Sequence, residues 1–302
     1  MIPYERGAWF RLLFSRRGTF ARGVPARVLV FGVIALVIWA GDRFLAVPLR
    51  LPVGFHEVAG IVIGLILAFR TNTGYARFWE GRTLWGGIVN ASRNLARIVT
   101  HHAGLTAEES RDFNAWIVAF AHATRCRLRG LEGVPEAEAF LSADDYGRLR
   151  DAPHPALFCA DELSRRISDL AARQALDPIM AGVAERQLAT LVDCLGGCER
   201  ISRTPTPLPY ILLMQRSAAL YLGSLPMGLL GRLDWFTPVV TMAVAYLVLM
   251  IETVGNELDD PFGTDPPDIP LDRICATIAF DLLGEGKQPA VTPQRGVGVV
   301  ER

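Results

Sequence analysis

Residues 58–69 read VAGIVIGLILAF, and residues 70–93 continue as RTNTGYARFWEGRTLWGGIVNASR. The first stretch carries no charge, the second mixes arginines with aromatic rings, and no proline separates them. This is the pattern of one helix leaving an apolar medium for an aqueous one. Uncharged residues 58–69 alone fall short of a ~30 Å hydrocarbon layer, which takes about 20 helical residues. Extending the run to Arg50 and Arg70, whose stems can snorkel to headgroups, restores that length. Three further uncharged, mostly apolar runs occur at 28–41, 217–231 and 235–251. Residues 42–57 join the first two runs and 232–234 join the last two, so we expect two helical hairpins. The expected membrane helices cover about 24–50, 53–72, 209–232 and 235–254.

The arginines orient them. Arg6, Arg11, Arg16, Arg17, Arg22 and Arg27 precede the first run, and Arg70, Arg77, Arg82, Arg93 and Arg97 follow the second. The loop between them holds only Arg43 and Arg50, with Asp42 and Glu57. Positive charge stays on the cytoplasmic side, so the expectation is a multi-pass protein of the cell (inner) membrane with both termini cytoplasmic. Residues 73–204 and 255–284 then form a helical cytosolic region. Apolar residues recur at helical spacing in Phe113, Trp116, Ile117 and Phe120, in Leu163, Ile167 and Leu170, and in Val183, Leu188, Leu191, Val192 and Leu195. Thr106 with Glu109 has the capping-box spacing. The Gly, Pro and Val-rich residues 285–302 read as a flexible tail.

Composition narrows the function classes. The chain has 302 residues, 51% of them hydrophobic, and its 31 basic residues cancel its 31 acidic ones. A net charge of zero argues against a protein that must neutralise many nucleic-acid phosphates. Lys287 is the only lysine. The five cysteines, Cys126, Cys159, Cys194, Cys198 and Cys275, form no CxxC pair and read as reduced, buried thiols. The histidines make no metal-binding spacing, and no residue presents itself as catalytic.

Two features bear on function. Ile61, Leu65 and Phe69 recur every four residues, with Gly60 and Gly64 forming a GxxxG on the adjacent face. Such a stripe is ordinary core packing when taken singly. If several copies surround an axis, it becomes a hydrophobic constriction about 12 Å long. The second feature is IETVGNELDDPFGTDPPDIPLDR, residues 251–273. Its carboxylates on a proline-broken backbone suit Ca²⁺ or another divalent cation, or else an acidic turn that caps the next helix through Asp268 or Asp272. A rival reading pairs Asp259, Asp260 and Asp265 with Asp144, Asp145 and Asp151 as an Mg²⁺ diphosphate site of a membrane prenyltransferase. A non-conducting membrane scaffold is the third class.

Taken together, FRTNTGYARFWEGRTLWG (69–86), LGGCERISRTPTPLPYILLMQR (195–216), ELDDPFGTDPPDIPLDRIC (257–275) and WFRLLFSRRGT (9–19) resemble the bacterial branch of the bestrophin family of ion channels, over nearly the whole chain. The resemblance implies a single all-α membrane domain, 1–302, that assembles with itself as a homopentamer around a central pore for small monovalent ions. It gives Ile61, Leu65 and Phe69 the role of a pore neck and Ile179 that of a cytosolic aperture, with Met180 as the alternative register. Animal members hold Ca²⁺ after the last membrane helix. The matching positions are Glu257, Asp260, Asp265 and Asp268, with a backbone carbonyl near Ile2. Thr264, Pro266 and Pro267 interrupt the acidic string here. The resemblance requires no cofactor and leaves anion (chloride) or cation selectivity open.

Overall fold

A computed structural model describes residues 23–45 and 49–284. The amino-terminal WFRLLFSRRGT block, the arginines before Gly23, the carbonyl near Ile2 and the tail 285–302 lie outside the described residues. Among those described, secondary structure is helical throughout: α1 Val24–Phe44, α2 Val53–His102, α3 Ala107–Leu128, α4 Ala143–Arg150, α5 Pro155–Ala172, α6 Pro178–Arg203, α7 Leu208–Leu233, α8 Thr237–Glu257 and α9 Leu271–Leu283. Short 3-10 turns occupy Pro135–Ala139 and Asp234–Phe236. α2 contains the expected membrane stretch 53–72 and, as its sequence implies, continues beyond it without a break, 50 residues in all.

The described residues divide into two compact units, one from 23–79 and 204–261, the other from 80–203 and 262–284. Among the described residues three helical stretches are long and apolar enough to cross a membrane: Val24–Phe44, Val53–His102 and Leu208–Glu257. The last contains α7, a 3-10 turn and α8. At that turn Asp234 takes φ 43°, and its Oδ1 accepts from the Trp39 indole N–H at 3.1 Å.

In the first unit α7 and α8 run antiparallel, because Leu222 shares a buried cluster with Ala245 and Leu249, on opposite sides of the Asp234 turn. α1 finds its main partner in α8, with Val24 and Val28 in that same cluster. Two polar ties fix its direction. Arg27 donates to Glu252 at 3.1 Å near one end, and Trp39 reaches Asp234 near the other. α2 lies against α7 through Ile63 and Leu67, which pack on Met214. Close backbone approach explains two glycines. A Cβ at Gly60 would come within 2.9 Å of the Tyr221 hydroxyl, and one at Gly74 within 3.0 Å of the Gly255 carbonyl oxygen. Gly60 therefore serves a contact inside the chain, with Tyr221 of α7. Nothing lies within 4 Å of a Cβ at Gly64.

The second unit is built on α3. Phe113, Trp116, Ile117 and Phe120 are buried, and α3 packs against α5 and α9. Leu163, Ile167 and Leu170 of α5 and Leu188, Leu191 and Leu195 of α6 are buried as their spacing predicts, while Val183 and Val192 are half-buried. Thr106 and Glu109 form the expected capping box. All five cysteines are buried and free. Burial pushes the thiols of Cys159, Cys194, Cys198 and Cys275 up, those of Cys198 and Cys275 to about 12, which makes these four unreactive.

Candidate functional site

Ile61, Leu65 and Phe69 are not core residues. Their side chains are 74%, 55% and 59% exposed, whereas Ile63 and Leu67 between them are the buried ones. Successive helical residues sit 100° apart, so these two sets occupy opposite faces of α2. Val58 and Val62 extend the exposed set. The intrachain core therefore does not use the stripe. An apolar face left open on a helix able to cross a membrane faces lipid or a further copy of the chain.

The stripe ends at Phe69, and the next residue reverses in character. Arg70 was expected to snorkel outward, but it is 1% exposed. Its Nη1 donates to Thr206 Oγ1 at 3.1 Å, and its Nη2 donates to Asn256 Oδ1 at 3.2 Å and Asp259 Oδ2 at 3.3 Å. Thr206 in turn donates its hydroxyl proton to Asp259 Oδ1 at 2.7 Å. Arg77 donates to the Thr204 carbonyl at 2.7 Å and pairs with Asp259 Oδ1 at 3.1 Å. Burial works against the Asp259 carboxylate, but hydrogen bonds from Thr206 and Arg70 and the charges of Arg70 and Arg77 outweigh it, holding its pKa below the usual range. Sequence reasoning missed this network. Its one legible trace is that Arg70 and Arg77 are seven apart, two helical turns on one face, with Arg70 abutting an uncharged run.

Ile179 lies in the first turn of α6 and is 77% exposed, while Met180 is half-buried. Asp177 caps this helix, its Oδ1 accepting from the backbone N–H of Ile179 at 2.8 Å and of Met180 at 3.4 Å. The cap holds an apolar side chain out from a rigid helix start.

The acidic segment behaves differently. Asp268 is buried, its Oδ2 accepts from the Asp265 backbone N–H at 2.7 Å, and its own N–H donates to the Asp265 carbonyl at 3.0 Å. This closes a turn on itself. Asp272 accepts from Arg125 and Arg129. Among the described residues no group of three or more His, Cys, Asp or Glu side chains is placed to hold a metal ion. Glu257, Asp260, Asp265 and Asp268 accordingly form no such three-side-chain group. Asp145 is likewise engaged locally, by Ser142 and Arg148.

A family model described as the bacterial/fungal bestrophin protein matches residues 1–283. A voltage-dependent anion channel-forming protein of Nostoc sp. is 36% identical over 277 residues, 89% of each chain. The voltage-dependent anion channel-forming protein YneE of Escherichia coli K12 is 32% identical, covering 98% of each. Among solved structures, a bacterial bestrophin homologue from Klebsiella pneumoniae is 29% identical with a TM-score of 0.81, covering 86% of this chain and 98% of that one. These matches do not favour a prenyltransferase or an inert scaffold. A chain whose described residues are helical with membrane-length apolar helices, matched over residues 1–283 in sequence and over 86% of its length in fold, belongs to the bacterial and fungal bestrophin family of membrane ion channels.

Proposed function

We propose that this chain is the pore-forming subunit of a homopentameric channel for small monovalent ions, with a neck lined by Ile61, Leu65 and Phe69 and a cytosolic aperture at Ile179. The observation that carries the reading is the outward stripe of α2. Three large apolar side chains are kept exposed while the residues between them are buried. Repeated around an axis, they form rings that an ion passes only by giving up part of its hydration. α7 and α8 count as separate spans, giving four, because the Asp234 turn returns the chain on itself. Ile179 is favoured over Met180 by its greater exposure. The membrane is the cell (inner) membrane, with both termini cytoplasmic by the arginine distribution.

The test is reconstitution of the purified protein in a planar bilayer under a salt gradient, alongside its mass in detergent. The expected results are ion currents and an assembly of five 33.1 kDa subunits. Reproducible silence, or a mass at odds with five copies, counts against the reading. The names of the curated relatives support an anion, and apolar rings add no preference of sign. The sign of the reversal potential decides that point. The aperture has its own test. Ile179→Ala is expected to alter relative permeabilities among ions of different size and to leave gating as it was, and a change in gating alone would remove Ile179 from the pathway.

A further inference from the structure

We propose that Arg70 is the positioning residue of the neck, a buried fork that fixes the rotation of α2 about its own axis and thereby holds Phe69 outward. This rests on the neck reading above and goes further, since it assigns what sets the neck's geometry. Arg70 and Phe69 are consecutive, so anchoring one inward fixes the direction of the other. The anchor is tied to the segments on both sides of the α7–α8 pair. Thr206 lies just before α7, Asn256 in the last turn of α8, and Asp259 just beyond it. Thr206 and Asp259 are also bonded to each other, so the arms of the fork end on a joined frame. Arg77, two turns further along α2, grips the same frame through Asp259 and Thr204. The site is fitted closely. A Cβ at Gly255 would stand 3.3 Å from Arg70 Cγ, and one at Gly74 would meet the Gly255 carbonyl oxygen. A planar guanidinium serves several acceptors at fixed angles, which the single ammonium of lysine does not. Rotation of α2 would have to break these bonds and leave the charge of Arg70 buried without partners.

The experiment compares Arg70→Lys and Asp259→Asn with wild type by single-channel recording of the reconstituted full chain, each also made in a Phe69→Ala background. The expected result is a change of open probability of about fivefold or more for Arg70→Lys, the lower end of coupling between linked sites. Asp259→Asn should act in the same direction. Both effects should largely vanish in the Phe69→Ala background, because a residue acting through Phe69 has nothing left to position. Wild-type behaviour of Arg70→Lys overturns the proposal, as does an effect that persists in full without the Phe69 ring, which would mark a purely structural role. If Arg70→Lys does not assemble, Thr206→Val and Asn256→Ala each remove one arm. Smaller changes in the same direction support the proposal, and unchanged gating in both overturns it. If Phe69→Ala itself leaves the currents unaltered, the neck reading fails and the positioning role falls with it. If Phe69→Ala alters them while the Arg70 and Asp259 variants do not, only the positioning role is lost.

Discussion

Replacing Ile61, Leu65 and Phe69 together by alanine is expected to raise single-channel conductance or open probability by about tenfold or more, the response to a barrier lowered by about 1.4 kcal/mol. These side chains are absent from the core of their own chain, so truncating them removes no intrachain packing of the kind supplied by Ile63 and Leu67. A core substitution of this size would cost about 2–5 kcal/mol per residue through cavity formation. The exposed positions should tolerate the change with little loss of assembly, which makes the triple variant interpretable. What alanine changes is the width and wetting of the axis. In the proposed neck an apolar ring resists ions by excluding the water that solvates them, and each of its side chains comes from one subunit, so one substitution acts as many times as there are copies. Phe69→Ala alone should account for the largest single share, since its ring is the largest of the three. Recording the variants in planar bilayers under symmetrical salt checks this. Currents equal to wild type would sink the neck, and a loss of assembly would show instead that the stripe is a packing surface between copies.

The sequence made the helices legible more readily than their partners. An uncharged run bounded by arginines reports its medium and its length, which is why α7 and α8 begin and end close to their expected bounds, while α1 begins as expected but ends at Phe44, short of residue 50. The stripe at Ile61, Leu65 and Phe69 was legible as periodicity, but periodicity is silent on which side of a helix faces its own chain. Ile63 and Leu67 are as apolar as Ile61 and Leu65, and only the position of Met214 distinguishes the buried set. The role of α8 as partner of α1 was hidden for the same reason. Contacts between residues more than two hundred apart, such as Arg27 with Glu252, leave no local trace. Arg70 was misjudged in kind. A basic residue at the end of an apolar run is commonly a snorkelling anchor, and it is buried here because Thr206, Asn256 and Asp259 converge on it from distant parts of the sequence. The acidic segment is another case where neighbours in space differ from neighbours in sequence. Its carboxylates stand close in sequence, yet Asp259, Asp268 and Asp272 are each taken up by a different set of neighbours.

Acidification should destabilise the unit built from 80–203 and 262–284 from pH 6.5 downward, and the residue responsible is His122. It lies in α3, 8% exposed, on the helical face that also carries Arg125 one turn later. Burial first, and the Arg125 charge second, push its pKa from 6.5 down to about 4, while Glu136 and Asp272 act in the opposite sense. Glu136 does not rescue it. The nearest oxygen is 3.9 Å from Nδ1, and Glu136 gives its other oxygen to Arg125 at 2.5 Å. The folded chain therefore holds His122 neutral over a range in which the unfolded chain protonates it. Below pH 6.5 the unfolded state binds the extra proton, so stability falls as pH drops toward about 4 and is fully present above 6.5. One proton gives a slope of at most about 1.4 kcal/mol per pH unit, and the whole window a loss of order 3 kcal/mol. Burial works against the carboxylates of Glu136, Glu162 and Asp272, but their arginine partners hold all three below their ordinary values, so their contributions are lost only as pH falls through and below the ordinary carboxylate range. Thermal unfolding of the detergent-solubilised protein between pH 8 and pH 4.5 should thus show a midpoint falling with acidity, and His122→Leu should flatten that dependence. A midpoint independent of pH across the window, or an equal slope in the variant, would show that His122 is not the group being titrated.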